Sequence, residues 1–150
     1  MKDKTIDYVL RATWQAVSRM YNEEASKYGA TMSVGFALLS IDKENGIPST
    51  ALGPQMGMEP TSLTRTLKSM EEKGLIVRKK NPVDGRGVLI HLSKQGKEKR
   101  DLSKQVVLTF NDVIKQHIPQ EKLDTFMEVA EKINELIAER QIFNNENETK

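Results

Sequence analysis

Thr61, Ser62, Thr64, Arg65 and Lys68 are the side chains of this 150-residue chain whose types and spacing suit a definite chemistry. They lie in and beside SLTRTLKSMEEKGL, Ser62 to Leu75, where Leu63, Leu67 and Met70 recur at i, i+4 and i+7. That spacing predicts a helix with one apolar stripe. At ~100° per residue, Thr61, Arg65 and Lys68 fall together on the opposite side. No acidic residue occurs between Pro60 and Met70. A solvated surface helix would normally mix Glu among its Lys for i,i+4 pairs. A cationic, hydroxyl-bearing face instead suits the major groove of duplex DNA, where the N-terminal half of a helix meets base edges. Arg65 is the one side chain here able to fork onto guanine O6 and N7. Glu71 and Glu72 come only at the end, where such a helix would be leaving the groove.

A second cationic group follows. Arg78, Lys79 and Lys80 precede the turn-forming stretch NPVDGRG, Asn81 to Gly87, and Val88, Ile90 and Leu92 then alternate with Leu89 and His91. The alternation predicts a half-buried strand, and the whole unit a β-hairpin with a long, mobile tip. The three cations would line its stem. Arg86, between two glycines at the tip, could enter a narrow minor groove, with Asp84 bracing its guanidinium. Charge is segregated accordingly: Pro60 to Arg100 holds 11 Lys/Arg against 4 Asp/Glu, while the remainder holds 12 against 17. A basic middle between acidic ends implies an anionic partner, of which nucleic acid is the commonest.

Other chemistries find little support. His91 and His117 stand far apart and outside any metal-binding spacing, His91 reading as an outward residue of the hairpin. No phosphate loop or nucleophile elbow occurs, so the reading is a non-enzyme without catalytic residues, metal or cofactor. The absence of cysteine excludes disulfides, thiolate zinc sites and thiol redox sensing. Met1 to Asp7 has no apolar signal region, and the charge-free run Gly29 to Ile41, at 13 residues, is too short to span a bilayer. The expectation is a cytoplasmic protein with no membrane partner.

The elements that must position these residues follow from local signals. Ile6, Val9, Leu10, Thr13, Trp14, Val17, Met20 and Tyr21 keep a helical period that Gly29 ends, with Thr31 or Ser33 capping the next helix. Val34, Phe36, Leu38, Leu39 and Ile41 make that second helix a central core element. KENGIPS, Lys43 to Ser49, is a turn. Ser49 or Thr50 would cap a short third helix around Ala51 to Met56, which Gly53-Pro54 should kink or delay. Gly57 closes it, Pro60 opens the next at its first position, and Gly74 stops that one. The pair is a helix-turn-helix. Ser93 caps a helix running to about His117, and Pro119 starts a last one bearing Leu123, Phe126, Val129, Ala130, Ile133, Leu136 and Ile137.

GMEPTSLTRTLKSMEEKGLIVRKKNPVDGRGVLIHLSKQGKE resembles the winged-helix core of the MarR family of bacterial transcriptional regulators, through Ser62-Leu63-Thr64-Arg65, EEKGLI, Asp84-x-Arg86 and LSKQGKE. Gly53-Pro54 and the glycine-flanked wing tip depart from the family pattern. The resemblance implies a mainly α fold with a small β-hairpin wing, a winged helix-turn-helix core flanked by N- and C-terminal dimerisation helices. It divides a single domain, 1–150, into a core at about 31–100, dimerisation helices at about 5–28 and 101–143, and a disordered tail at about 144–150. It implies a homodimer that binds a palindromic double-stranded operator, most simply as a repressor. It also implies a cleft for a small aromatic or phenolic ligand that lowers DNA affinity, with Trp14, Tyr21, Met32 and Phe36 as undivided candidates for its lining. Trp14, Phe110 and Phe126 read more readily as core or dimer packing. The competing reading is a winged helix used for protein–protein contact, its basic face meeting an acidic partner.

Overall fold

The structure is a computed structural model that describes residues 4–85 and 87–143. It divides into two compact units, Met1–Val107 and Leu108–Lys150. The expected tail at 144–150 lies outside the described residues.

Helix α1, Ile6–Ser26, starts on Thr5, whose hydroxyl accepts the Tyr8 N–H. Gly29, at φ +66°, makes the turn out of it, as its sequence position implied. Helix α2, Met32–Ser40, is capped by Thr31, whose Oγ1 accepts the Val34 N–H at 3.3 Å. The following turn is organised by Asp42. Its carboxylate accepts the N–H groups of Asn45 (2.6 Å) and Glu44 (2.9 Å), and these bonds hold its pKa below the ordinary carboxylate value.

What reads as turn in the sequence then continues as a two-residue strand. β1, Ile47–Pro48, pairs antiparallel with β3, Val88–Leu92, placing Ile47 opposite Ile90 and Pro48 opposite Leu89. β2, Ile76–Lys80, pairs on the other side, so the wing is part of a three-stranded sheet ordered β1-β3-β2. Pro48 sits on the edge strand, where a missing donor is tolerated.

Helix α3, Ser49–Met56, corrects two expectations. Its N-cap is Pro48 with no side-chain cap bond, so neither Ser49 nor Thr50 is the cap. It also starts early, at Ser49, and carries Pro54 within it. Pro54 is the sixth residue of that helix, so the bond it forfeits is one to the first turn. Gly53 has a packing reason: a Cβ there would lie 3.1 Å from Leu63 Cδ2. Gly57 closes α3 at φ +63°, and Pro60 begins α4, Pro60–Glu72, at its first position, both as expected. Gly74, at φ +71°, turns the chain from α4 toward β2.

One core serves this unit. Val34, Leu38 and Ile41 around α2, Leu52 of α3, Leu67 and Met70 of α4, and Ile76, Ile90 and Leu92 of the sheet are all buried together. Each such side chain contributes ~1.5–3 kcal/mol by leaving water, and that sum fixes α4 against the sheet.

Helix α5, Lys94–His117, is capped by Ser93, whose Oγ accepts the Gly96 N–H at 3.0 Å and donates to the Gly74 carbonyl at 2.6 Å. A Cβ on Gly96 would collide with the Leu75 carbonyl oxygen. The close approach welds the start of α5 to the junction between α4 and β2. Gly96→Ala is therefore expected to lower stability by ~1–3 kcal/mol, the usual cost of overpacking. Chemical denaturation read by far-UV circular dichroism would show it, and an unchanged midpoint would mean that the junction yields.

In the second unit, α6 is Gln120–Ala138, with Pro119 as its N-cap residue and not its first helical residue. None of its residues is buried, and Phe126, Val129 and Ile137 are each more than half exposed. No helix among the described residues is long and apolar enough to cross a membrane.

Candidate nucleic-acid interface

Helix α4 inherits its orientation from its apolar stripe. Leu67 and Met70 are buried, Leu63 packs on the same core, and Thr61, Ser62, Thr64, Arg65 and Lys68 are all exposed. The five expected residues thus share the outer side of one helix, with no acidic residue in its first turn. Thr64 Oγ1 donates to the Pro60 carbonyl at 2.9 Å. Its proton is committed inward, so toward a ligand Thr64 offers lone pairs and a methyl group.

The strand cations are arranged less simply than the sequence suggests. Arg78, Lys79 and Lys80 are all exposed, opposite Ile90, Leu89 and Val88 respectively. Strand alternation puts Arg78 and Lys80 on one face and Lys79 on the other, so they are not a single stripe. Arg78 also has an internal partner: its Nε donates to Glu71 Oε2 at 3.2 Å. Glu71 was legible only as a late acid on the helix. Its pairing spans a helix end and a strand start, for which no local spacing rule exists.

The turn leading into the wing tip is shaped by Asn81, a residue the sequence did not single out. Its Oδ1 accepts the N–H groups of Val83 (3.0 Å) and Asp84 (3.3 Å). The Gly87 N–H donates to the Asp84 carbonyl at 2.9 Å, and the Asn81 N–H to the Gly87 carbonyl at 3.0 Å. Asn-Pro ahead of Asp-Gly was the available signal for this Asx turn. Arg86 lies outside the described residues, so its bracing by Asp84 stays an expectation.

The four candidate effector residues divide between two spaces. Tyr21, Met32 and Phe36 line a small apolar cavity of about 70 Å³ among α1, α2 and α5, with Lys99 the one cation on its wall among the described residues. Tyr21 meets Phe36 edge to face at 5.7 Å, and burial raises its phenol pKa. Trp14 lines a different, wider groove of about 450 Å³, whose other walls include Met32, Phe36, Met56 and Met58. Met32 and Phe36 are common to both. Among the described residues, no three His, Asp or Glu side chains gather as a metal site would need.

Residues 31–88, from the cap of α2 to the first residue of β3, match the model of the MarR family. Over this span the chain is similar to the MarR family. Members of this family are DNA-binding transcriptional regulators and not enzymes. The organic hydroperoxide resistance transcriptional regulator of Bacillus subtilis is 32% identical over 89 residues, which are 59% of this chain and 60% of that protein. The chain therefore aligns with less than two thirds of that relative's length. Among MarR-like solved structures, MepR of S. aureus in complex with DNA superposes with a TM-score of 0.79 at 15% identity, covering 89% of this chain and 98% of that one. PcaV of Streptomyces coelicolor, in complex with its natural ligand, gives a TM-score of 0.74 at 17% identity, covering 90% and 98%. At these identities the structural likeness establishes the fold: a mainly helical winged helix-turn-helix.

Proposed function

We propose that this chain is a MarR-type regulator that acts as a homodimer, binds a palindromic DNA operator sequence-specifically and represses transcription from it. The observation that carries this reading is the outer face of α4. It presents five polar or cationic side chains and no acid until Glu71, on a helix whose other face is locked into the core. Major-groove readout by α4 would leave Arg78, Lys79, Lys80, Asp84 and Arg86 of the wing and its stem for phosphates and the minor groove. The DNA-bound state of the similar MepR supports this arrangement. One winged helix makes few contacts, and two-fold symmetry doubles them on a palindrome. The uncovered apolar side chains of α1 (Ile6, Val9, Leu10, Trp14) and of α6 (Phe126, Val129, Ile137) are the natural material for a dimer of the terminal helices. Ligand-bound PcaV supports a small-molecule effector, which the family resemblance would make aromatic or phenolic, and Met32, Phe36 and Leu39 line both spaces described above.

Selection from a random duplex pool tests the reading. A palindromic consensus is expected. Equal binding of all duplexes, with tight binding of an acidic protein, would favour the protein-interaction alternative. On the selected site, Arg65→Ala should lose discrimination at one base position per half-site, by ~1–3 kcal/mol per contact, with binding to random DNA much less affected. Arg86→Ala should instead weaken binding broadly, most at A·T-rich flanks where the minor groove is narrow. Asp84→Ala should be a milder version of the same. Binding profiles over every single-base change of the site separate the cases. A uniform loss for Arg65→Ala would remove α4 as the reading element.

A further inference from the structure

Three of the chain's seven methionines, Met32, Met56 and Met58, line the groove that also holds Trp14, the only tryptophan. We propose that Met56 and Met58 are a modification site at which oxidation of the thioethers to sulfoxides loosens the helix-turn-helix.

The chain has no cysteine, so its thioethers are its most readily oxidised sulfur groups. Met70 is fully buried, whereas Met56 and Met58 are half-buried and face the groove, within reach of a small oxidant. Met58 also spans the joint between the two helices. Its N–H closes the turn on the Gly53 carbonyl at 3.0 Å, and its Sδ accepts the Thr66 hydroxyl of α4 at 3.9 Å. Met56, the last residue of α3, packs against the core, as does Leu63 of α4. The joint has no slack, since even a Cβ on Gly53 would press on Leu63 at 3.1 Å. A sulfoxide adds an oxygen and turns a flexible apolar side chain into a polar one. Seating that oxygen against Trp14, Phe36 and Leu39 of the groove wall costs desolvation unless the helices part.

The oxidant class is a hypohalous acid. With hypochlorous acid the sulfur loses two electrons and gains one oxygen by a new S–O bond. The O–Cl bond breaks, chlorine leaves as chloride, and the proton passes to water. The consequence for DNA rests on the operator-binding reading; the loosening of the joint does not.

The test treats the full chain with a few equivalents of hypochlorous acid and maps sulfoxides by peptide mass. Hydrogen exchange of residues 53–66 is followed without DNA, and affinity for the selected duplex separately. Sulfoxide at Met56 or Met58, faster exchange across 53–66, and an affinity loss of about tenfold or more are expected, all reversed by methionine sulfoxide reductases. The Met56→Leu/Met58→Leu variant conserves volume, so it should bind like the parent before treatment and keep its affinity afterwards. Unchanged exchange in a parent oxidised at both positions would overturn the proposal. So would a double variant that loses as much affinity as the parent, which would point to Met32, Met20 or Met127. Absence of any duplex preference in untreated protein would instead count against the operator reading, while exchange would still decide the site.

Discussion

Raising monovalent salt from about 50 to 200 mM is expected to weaken DNA binding by roughly four to five powers of ten, a log–log slope of about −7 to −9. The estimate assumes that each subunit neutralises ~4–5 phosphates, and that a dimer releases about twice as many counterions. The segment Pro60 to Arg100 has the cations to do so, 11 Lys/Arg against 4 Asp/Glu. The structure refines which of them act first. Lys79 and Lys80 stand exposed on β2, whereas Arg78 must leave Glu71 or share its guanidinium between carboxylate and phosphate. Both partners of that pair are two-fifths exposed or more, and such surface pairs contribute only ~0–1 kcal/mol, so a phosphate can displace the carboxylate. Lys79→Ala and Lys80→Ala, each removing one contact from both subunits, should each reduce the slope by about two while leaving base preference intact. Fluorescence anisotropy of a labelled duplex across a salt series measures it. A slope near zero would mean that the basic middle of the chain does not face DNA.

Deleting Glu121 to Lys150 is expected to abolish dimerisation and, with it, operator binding. The deletion removes nearly all of α6, whose Phe126, Val129 and Ile137 are more than half exposed and whose length contributes no buried residue. An amphipathic helix with no fully buried residue gains little from propensity alone, so its apolar stripe needs a partner surface. Loss of the dimer would split a palindrome into two weak half-site encounters, leaving affinity near the non-specific level of ~10⁻⁴–10⁻⁶ M. Sedimentation velocity of the truncated chain, beside circular dichroism to show that the winged helix is still folded, is the measurement. A folded, truncated protein that still sediments as a stable dimer would place the interface elsewhere.

The sequence by itself determined those features whose causes are local. Gly29, Gly57 and Gly74 turn the chain where positive φ is required, and Thr31, Ser93 and Pro60 start their helices as their chemistry dictates. The alternation of Val88 to Leu92 yields the strand, and the acid-free face of α4 is visible as soon as its apolar stripe is drawn. The family likeness was legible for the same reason, since it rests on contiguous motifs. Tertiary structure decided whatever depends on groups distant in the chain. Ile47–Pro48 is a strand only because Ile90 and Leu89 lie beside it, for two residues carry no period of their own. Gly53 and Gly96 look like helix-weakening choices until Leu63 and the Leu75 carbonyl are seen to leave no room for a Cβ. Asn81 shapes the wing tip, and Glu71 engages Arg78, through bonds that close only once helix, strand and turn are assembled. Trp14 and Tyr21, on one helical stripe, face different spaces because α2 sets Met32 and Phe36 between them. Local propensity is written residue by residue, but contact between remote residues is a property of the packed chain.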